Sequence, residues 1–389
     1  MPPLAAAEFR TDLGLATDAV RLAIDPNYAK RKDAHWIIWI QFCTKCNLDP
    51  FLANIQDPIP YLQVFAQRYR DGTIAPRGNV VSAKYIRDVL CSIGQAFSIL
   101  GAPDPRLTAL DGSVDFRLRR MYKFYDKSDP PPARVKPVPI TFILFLLNTA
   151  YGLDHNAVSA SPTQKALADM TCVAFYFLLR PSEYSGPPNR QHAVFSLDDV
   201  HVYIGQRKLD LATALERDVV AATNVRLHYT TQKNQRKGDV IAHACSQHPY
   251  CCPVKALLRL ILTHRRWFAT RGIPYDGKVR LASYYRNDER VNLRPEDVTR
   301  QLRYAARVLF HTSGIAPNDI TARSCRAGGA MALLCGGCDD NIIQLLGRWN
   351  GASMLRYLHQ EAEPIMRNLA AKMFNHGDYS FLPTASVPM

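Results

Sequence analysis

The stretch that decides the fold runs from Thr321 to His359 and reads TARSCRAGGAMALLCGGCDDNIIQLLGRWNGASMLRYLH. Its pattern predicts three consecutive short helices. The first carries Arg323 and Arg326, and residues three apart on a helix project from one face. Such a pair suits an anionic oxygen group, because guanidinium forks match phosphate geometry and stay charged at any biological pH.

The second and third predicted helices bring further candidate residues close to this pair. The second runs from Asp339 to Gly347, since acidic residues suit a helix N-terminus and glycine suits its end. The third spans Ser353 to His359 and holds Tyr357. Arg348 and Trp349 lie between them. The unit therefore gathers five candidate residues, Arg323, Arg326, Arg348, Trp349 and Tyr357.

Composition and charge bound the class of protein. The 389 residues allow two domains with sizeable cores, and the formal net charge is +14. Such a balance favours a polyanionic partner, of which nucleic acid is the commonest, although a merely basic soluble protein has the same composition. The chain has no apolar stretch long enough to cross a bilayer and no secretory signal at its N-terminus. The missing signal sequence therefore predicts a protein of a reducing, intracellular compartment.

A proline-rich segment at residues 127–139, KSDPPPARVKPVP, predicts a stiff linker and is the strongest domain boundary in the chain. Residues 28–126 before it have apolar residues at helical spacing and predict an all-helical domain. Residues 140–375 after it predict a second domain. A weakly patterned segment, 1–27, and a loose tail, 376–389, complete the division.

The last predicted helix of the first domain contains FRLRRMYKFY, residues 116–125, in which basic and aromatic residues alternate. That interleaving suits a nucleic-acid surface. An amphipathic helix with a solvated basic side explains the same residues equally well.

The second domain mixes helices with strands. A nearly all-apolar helix at 162–179 must be buried and ends at Arg180, which is either a fixed charge at the edge of the core or a solvent-facing capping residue. Lys233 lies at the tip of a predicted hairpin, where a lysine is normally only solvated. The predicted strands are 201–204, 225–231, 240–241 and 279–285, and the other predicted helices are 140–151, 254–268 and 294–310.

The chain has ten cysteines. The cluster of His and Cys residues at 243–252 is the best zinc candidate, although reduced and partly buried thiols explain it more simply. Cys335 and Cys338 flank two glycines and indicate a turn, while Cys43 fits the apolar side of a helix. We therefore predict no metal site.

Taken in order, four motifs resemble the tyrosine recombinases, the phage-integrase family. They are Arg180 in LLRPSE, Lys233 in TTQKNQRKG, Arg326 in RSCRAGGAMALL, and LLGRW followed by Tyr357. The form LGRW…LRY resembles eukaryotic mobile elements such as cryptons. The resemblance covers roughly residues 28–375, and it is the order and spacing of the motifs that make it specific.

Two positions depart from the family pattern. Arg323 stands where the family's second arginine box has a histidine, and arginine cannot act as a base at neutral pH. Nine residues before Tyr357, where the family has His or Trp, the chain has Arg348, with Trp349 adjacent. Either of these two can fill the family's position.

The resemblance implies a reaction. Tyr357 would attack a phosphodiester and form a 3′-phosphotyrosyl intermediate, Arg180 and Arg326 would bind the non-bridging oxygens, and Lys233 would protonate the leaving 5′ oxygen. No metal, ATP or other cofactor is implied. The resemblance also implies an intracellular protein located at DNA, in the nucleus if the source is eukaryotic. In this family two domains clamp double-stranded DNA and four copies assemble on it, and residues 364–374 fit the helix that docks into the next subunit.

The expected fold is mainly α, with an all-helical core-binding domain and an α+β catalytic domain that holds a small antiparallel sheet. The expected function is that of a site-specific DNA recombinase or integrase, encoded by a mobile element. Two alternatives have the same motifs: a recombinase-derived DNA-binding protein that no longer cleaves, and a relaxing enzyme similar to type IB topoisomerases. Gly328 and Gly329 inside a predicted helix indicate close backbone approach, to a neighbouring helix or to DNA.

Overall fold

The structure is a computed structural model, and it describes residues 3–24, 26–131, 135–152, 160–186, 194–230, 238–349 and 351. The chain forms two compact units, Met1–Pro132 and Ala133–Met389, so the division falls within the predicted linker. The described part is mainly α-helical with a small antiparallel sheet, as the sequence predicted. No helix within these ranges is long and apolar enough to cross a membrane.

The first unit consists, in its described residues, of helices joined by turns and irregular segments. Its core is rich in aromatic side chains, and Trp39 and Phe65 lie at its centre with their rings 5.1 Å apart. The N-terminal helix was not predicted, because residues 1–27 have only a weak apolar pattern. The helices are α1 Pro3–Leu22, α2 Pro26–Lys45, α3 Ile59–Arg70, α4 Ala83–Ile99 and α5 Phe116–Ser128.

The second unit is built around one buried helix. This helix, residues 162–176, begins with a capping box between Ser161 and Gln164, and nearly all of its later side chains are buried. Helices α6, α10 and α13 pack around it. The helices of this unit are α6 Ile140–Tyr151, α7 Pro162–Tyr176, α8 Pro181–Tyr184, α9 Glu216–Val220, α10 Pro253–Thr270, α11 Pro295–Val308, α12 Phe310–Ser313, α13 Ser324–Cys335 and α14 Asp340–Gly347.

Two antiparallel sheets complete the second unit. The four-stranded sheet has the order β2-β1-β3-β4, and its central strand β3 buries alternate residues such as Val225 and Leu227 against the core. The predicted strand at 279–285 is shorter than expected and pairs with a second strand in a hairpin. The strands are β1 Val200–Ile204, β2 Arg207–Lys208, β3 Asn224–Tyr229, β4 Asp239–Ala244, β5 Ser283–Arg286 and β6 Glu289–Asn292.

Two glycines allow α13 to lie close to the rest of the unit. A Cβ on Gly329 would come within 2.1 Å of the Phe175 carbonyl oxygen, and one on Gly328 within 2.2 Å of the Val138 carbonyl oxygen. Both distances are far below van der Waals contact. The glycine pair therefore serves packing against α7 and the segment before α6, and this brings the start of α13 to the end of α7.

Candidate nucleic-acid site

Arg180 stands where the chain leaves α7. Leu178 adopts a left-handed backbone conformation with φ of 49°, which turns the chain sharply after the helix. Arg180 then caps the short helix α8, and its backbone amide donates to Glu183 Oε2 at 2.8 Å. Its guanidinium donates to the other oxygen, Oε1, also at 2.8 Å. Glu183 therefore holds both the backbone and the side chain of Arg180.

Arg326 lies in the first turn of α13 and is only 2% exposed. Its Nη1 donates to the carbonyl of Leu178, and its Nη2 donates to the carbonyl of Gly347. The guanidinium carbon lies 4.3 Å from the centroid of the Trp349 ring. This one side chain thus joins the end of α7, the start of α13 and the end of α14.

Arg348 is the second buried arginine of the group and is 1% exposed. It follows α14 in a left-handed conformation with φ of 55°, which directs the chain into the interior. Its Nη2 lies 2.9 Å from Glu183 Oε2, so one carboxylate is shared between Arg348 and Arg180. The guanidinium carbon also lies 3.9 Å from the centroid of the Tyr229 ring.

These partners explain how two guanidinium groups are tolerated in the interior. A buried charge is destabilising unless it is paired or hydrogen-bonded, and carbonyl oxygens, a carboxylate and aromatic faces all favour a cation. Burial raises the pKa of the Tyr229 hydroxyl above its ordinary value, so this ring faces Arg348 as a neutral phenol. We refer to Arg180, Glu183, Arg326 and Arg348 as the arginine cluster.

Two members of the arginine cluster, Arg180 and Arg326, line a cleft of about 990 Å³. Arg180, Arg323 and Arg326 all line it, which places three of the predicted site residues on one cavity. Arg323 caps α13 instead of lying within it, and its side chain is exposed while Arg326 is buried. The two arginines border the same cleft, one with an exposed and the other with a buried side chain.

Arg294 is a fourth arginine on this cleft, and the sequence analysis did not single it out as a site residue. It caps α11 and contacts Asp297 at 3.2 Å. The sequence signal for it is the position of Arg294 at the N-terminus of the predicted helix 294–310, where a basic residue is unusual. Four guanidinium groups on one cavity suit an anion such as a phosphodiester.

The other predicted site residues have different outcomes. Trp349 is buried, and its ring packs on Gly347 and Arg326. Lys233, Tyr357 and the predicted docking helix at 364–374 lie outside the described residues.

The His and Cys residues at 243–252 do not form a metal site in the described structure. The His243 ring contacts the carbonyl oxygen of Tyr176 at 3.0 Å, and burial lowers the pKa of this imidazole. Cys251 and Cys252 are buried as free thiols, while Cys245 is exposed. Among the described residues, no group of three or more His, Cys, Asp or Glu is placed to hold a metal ion.

Helix α5 of the first unit contains the basic and aromatic residues 116–125. Tyr122 and Tyr125 are buried in the core of that unit. Phe116 and Phe124 are exposed, and the Arg120 guanidinium lies 5.1 Å from the Phe116 centroid. The helix is therefore amphipathic, and its solvent side presents cations beside apolar rings.

Comparison with solved structures returns tyrosine recombinases. The structure of XerA recombinase matches with 12% identity and a TM-score of 0.34, over 90% of this chain and all of that one. The Tn1549 transposon integrase in complex with transposon right end DNA matches with 15% identity and a TM-score of 0.40, over 82% of this chain and 84% of that one. The same integrase with circular intermediate DNA matches with 14% identity and a TM-score of 0.40, over 80% and 83%.

No family model matches the chain, and no curated protein matches it either. The likeness to the solved recombinases is low in identity and in TM-score. The interpretation of the site therefore rests on its own residues and contacts.

Proposed function

We propose that the chain is a DNA strand-transferase of the tyrosine-recombinase type, from the crypton-like branch of mobile elements. The observation that carries the proposal is the cleft on which Arg180, Arg323 and Arg326 meet, although Arg180 is more than 140 residues from the other two. A phosphodiester gains negative charge in the transition state of its cleavage, and preorganised cations lower that barrier. In this proposal the first unit binds DNA, and four copies of the chain assemble on the DNA.

In this reaction the Tyr357 hydroxyl gives its proton to solvent water, since Arg323 cannot accept it, and the tyrosine oxygen forms a bond to phosphorus. The bond from phosphorus to the 5′ oxygen breaks, and Lys233 donates the proton that this oxygen takes up. The protein then carries the 3′ phosphate, and a 5′ hydroxyl from another strand reverses the step. Because the covalent bond conserves the phosphodiester linkage, the reaction needs no nucleotide hydrolysis.

The arginines have two kinds of task in this proposal. Arg180 and Arg326 offer donors to the non-bridging oxygens, and Arg323 adds to them from the exposed wall of the same cleft. Arg323 supplies charge and donors only, since it cannot accept a proton at neutral pH. Arg348 is a positioning residue, because its contact with Glu183 fixes the carboxylate that holds Arg180.

The decisive experiment uses a pool of DNA duplexes with a randomised centre in which sulfur replaces the bridging 5′ oxygen. A thiolate leaves without protonation and attacks the intermediate poorly, so a covalent adduct accumulates and is visible on a denaturing gel. We expect an adduct with the full chain and none with Tyr357→Phe. Lys233→Ala should be slow with the oxygen substrate and recover with the sulfur substrate, because only the oxygen needs an acid.

Other outcomes support the alternatives. If the wild-type chain binds the duplexes and forms no adduct with either substrate, the protein is a DNA-binding protein without cleavage activity. If it relaxes any supercoiled plasmid without a specific sequence, it belongs with the relaxing enzymes. Arg266→Gln is the control, since this exposed arginine pairs with Glu216 away from the cleft residues.

A further inference from the structure

A second cleft, of about 500 Å³, adjoins the one described above. It is lined by the hairpin of β5 and β6 and by the first turns of α11. Arg294 and Asn292 line both cavities, so the two clefts meet at these residues. The second cleft adds Arg286 and Arg300, and both side chains are exposed.

The charges around the second cleft leave a net positive surface. Asp297 contacts Arg294 at 3.2 Å and Arg300 at 2.9 Å, so one carboxylate lies between two guanidinium groups. Both of these arginine side chains remain at least 70% exposed, so their other donors face solvent. With Arg286 the four side chains sum to a charge of +2. The Asp297 side chain is only 17% exposed, and its single charge holds the two guanidinium groups in place without neutralising both.

Asn292 marks the junction of the two clefts. Its Oδ1 is buried and has no hydrogen-bond partner among the described residues. A buried polar atom without a partner is destabilising, and a half turn of the amide would place its N–H donors there instead. An amide donor beside three arginines suits a phosphate oxygen.

We propose that Arg286, Arg294 and Arg300 form a phosphate-contacting surface for the DNA backbone next to the phosphodiester that reacts. The first cleft holds the reacting phosphate, and the second continues the cationic surface along the hairpin and the start of α11. The occupant is a nucleic-acid backbone, because a polyanion complements the net charge of +2 that three guanidinium groups and one carboxylate give this cleft. This inference rests on the proposed function for its ligand.

The test measures binding of a fluorescently labelled duplex of about 30 base pairs and arbitrary sequence to the full chain at several KCl concentrations. Each phosphate contact contributes about 0.9 to the slope of log K against log salt concentration. We expect Arg286→Gln and Arg300→Gln each to lower that slope by about 0.9, and the triple variant with Arg294→Gln by about 2.7. Arg266→Gln should leave the slope unchanged.

The result that overturns the proposal is a triple variant with the slope and affinity of the wild type. Thermal melting of each variant checks that the exposed substitutions leave the fold intact. A triple variant that melts normally and still binds DNA like the wild type refutes the proposal. The covalent-adduct assay on the wild type distinguishes the two proposals. A reduced slope without any adduct supports this surface and refutes the strand-transferase, while an adduct with an unchanged triple variant does the opposite.

Discussion

Glu183 is the residue whose loss should affect the second unit most among the polar side chains of the arginine cluster. Its carboxylate contacts Arg348 at 2.9 Å and Arg180 at 2.8 Å. Arg348 is 1% exposed, so its contact is that of a buried pair, and removing one partner of such a pair costs about 3–5 kcal/mol. The Arg180 side chain is 19% exposed, and its contact adds about 1 kcal/mol at most.

The prediction is that Glu183→Gln lowers the free energy of unfolding of the second unit by about 4 kcal/mol. With a urea dependence of about 3 kcal/mol per molar, the midpoint falls by more than about 1 M. The chain has two units, so the assay must report on the second alone. Hydrogen-exchange mass spectrometry at increasing urea, evaluated on peptides from α7 and α13, meets this need.

Two comparisons make the Glu183 prediction specific. Glu216→Gln removes an exposed partner of Arg266 and should cost about 0.5 kcal/mol or less. The double variant Glu183→Gln with Arg348→Met removes both charges of the buried pair, and we expect it to regain at least half of the loss. The reasoning is refuted if Glu183→Gln shifts the midpoint no further than Glu216→Gln does.

Three further predictions concern other parts of the chain. Gly329→Ala should lower the unfolding free energy by about 1–3 kcal/mol, because its Cβ meets the Phe175 carbonyl, whereas Gly14→Ala in an open stretch of α1 should stabilise by about 0.5–1 kcal/mol; urea unfolding checks both. Burial lowers the pKa of His264 to about 4, so the unfolded state binds more protons below pH 6.5 and stability should fall from pH 6.5 to pH 4, by up to about 3 kcal/mol; a His264→Gln chain whose stability is as steep in that window contradicts this. Arg326→Lys keeps the charge and loses the planar fork, so the rate of adduct formation in a single turnover should fall about 100-fold; a rate within twofold of the wild type would remove Arg326 from the proposed site.

Most helices were predictable because their apolar residues recur at helical spacing. The buried helix α7 was expected at 162–179, and the structure places it at 162–176, where the turn at Leu178 ends it. Helix α1 was not expected, because its exposed Phe9 and Leu13 do not form a stripe facing a core. Its many alanines and leucines carry helix propensity, which was the available signal.

The candidate site was predictable in its residue types and only partly in its geometry. The positions of Arg180 and Arg326 on one cleft follow the order of the motifs. The contact between Glu183 and Arg348 joins residues 165 positions apart, and no local pattern reports such a distance. The burial of Arg348 depends on a left-handed residue after α14, a conformation that sequence patterns assign to glycine and not to arginine.

The shared carboxylate bears on how related sequences should be interpreted as they diverge. A lineage that loses Glu183 or Arg348 alone is left with an altered buried charge and an unstable protein, so the two positions should change together or not at all. Arg323 and Arg294 lie in the cleft wall at the surface and can drift without that penalty. A descendant that loses the proposed reaction should therefore retain the interior pair long after its surface arginines have changed. Conservation of Glu183 and Arg348 therefore indicates selection for stability, whereas conservation of Arg323 and Arg294 indicates selection for the chemistry of the cleft.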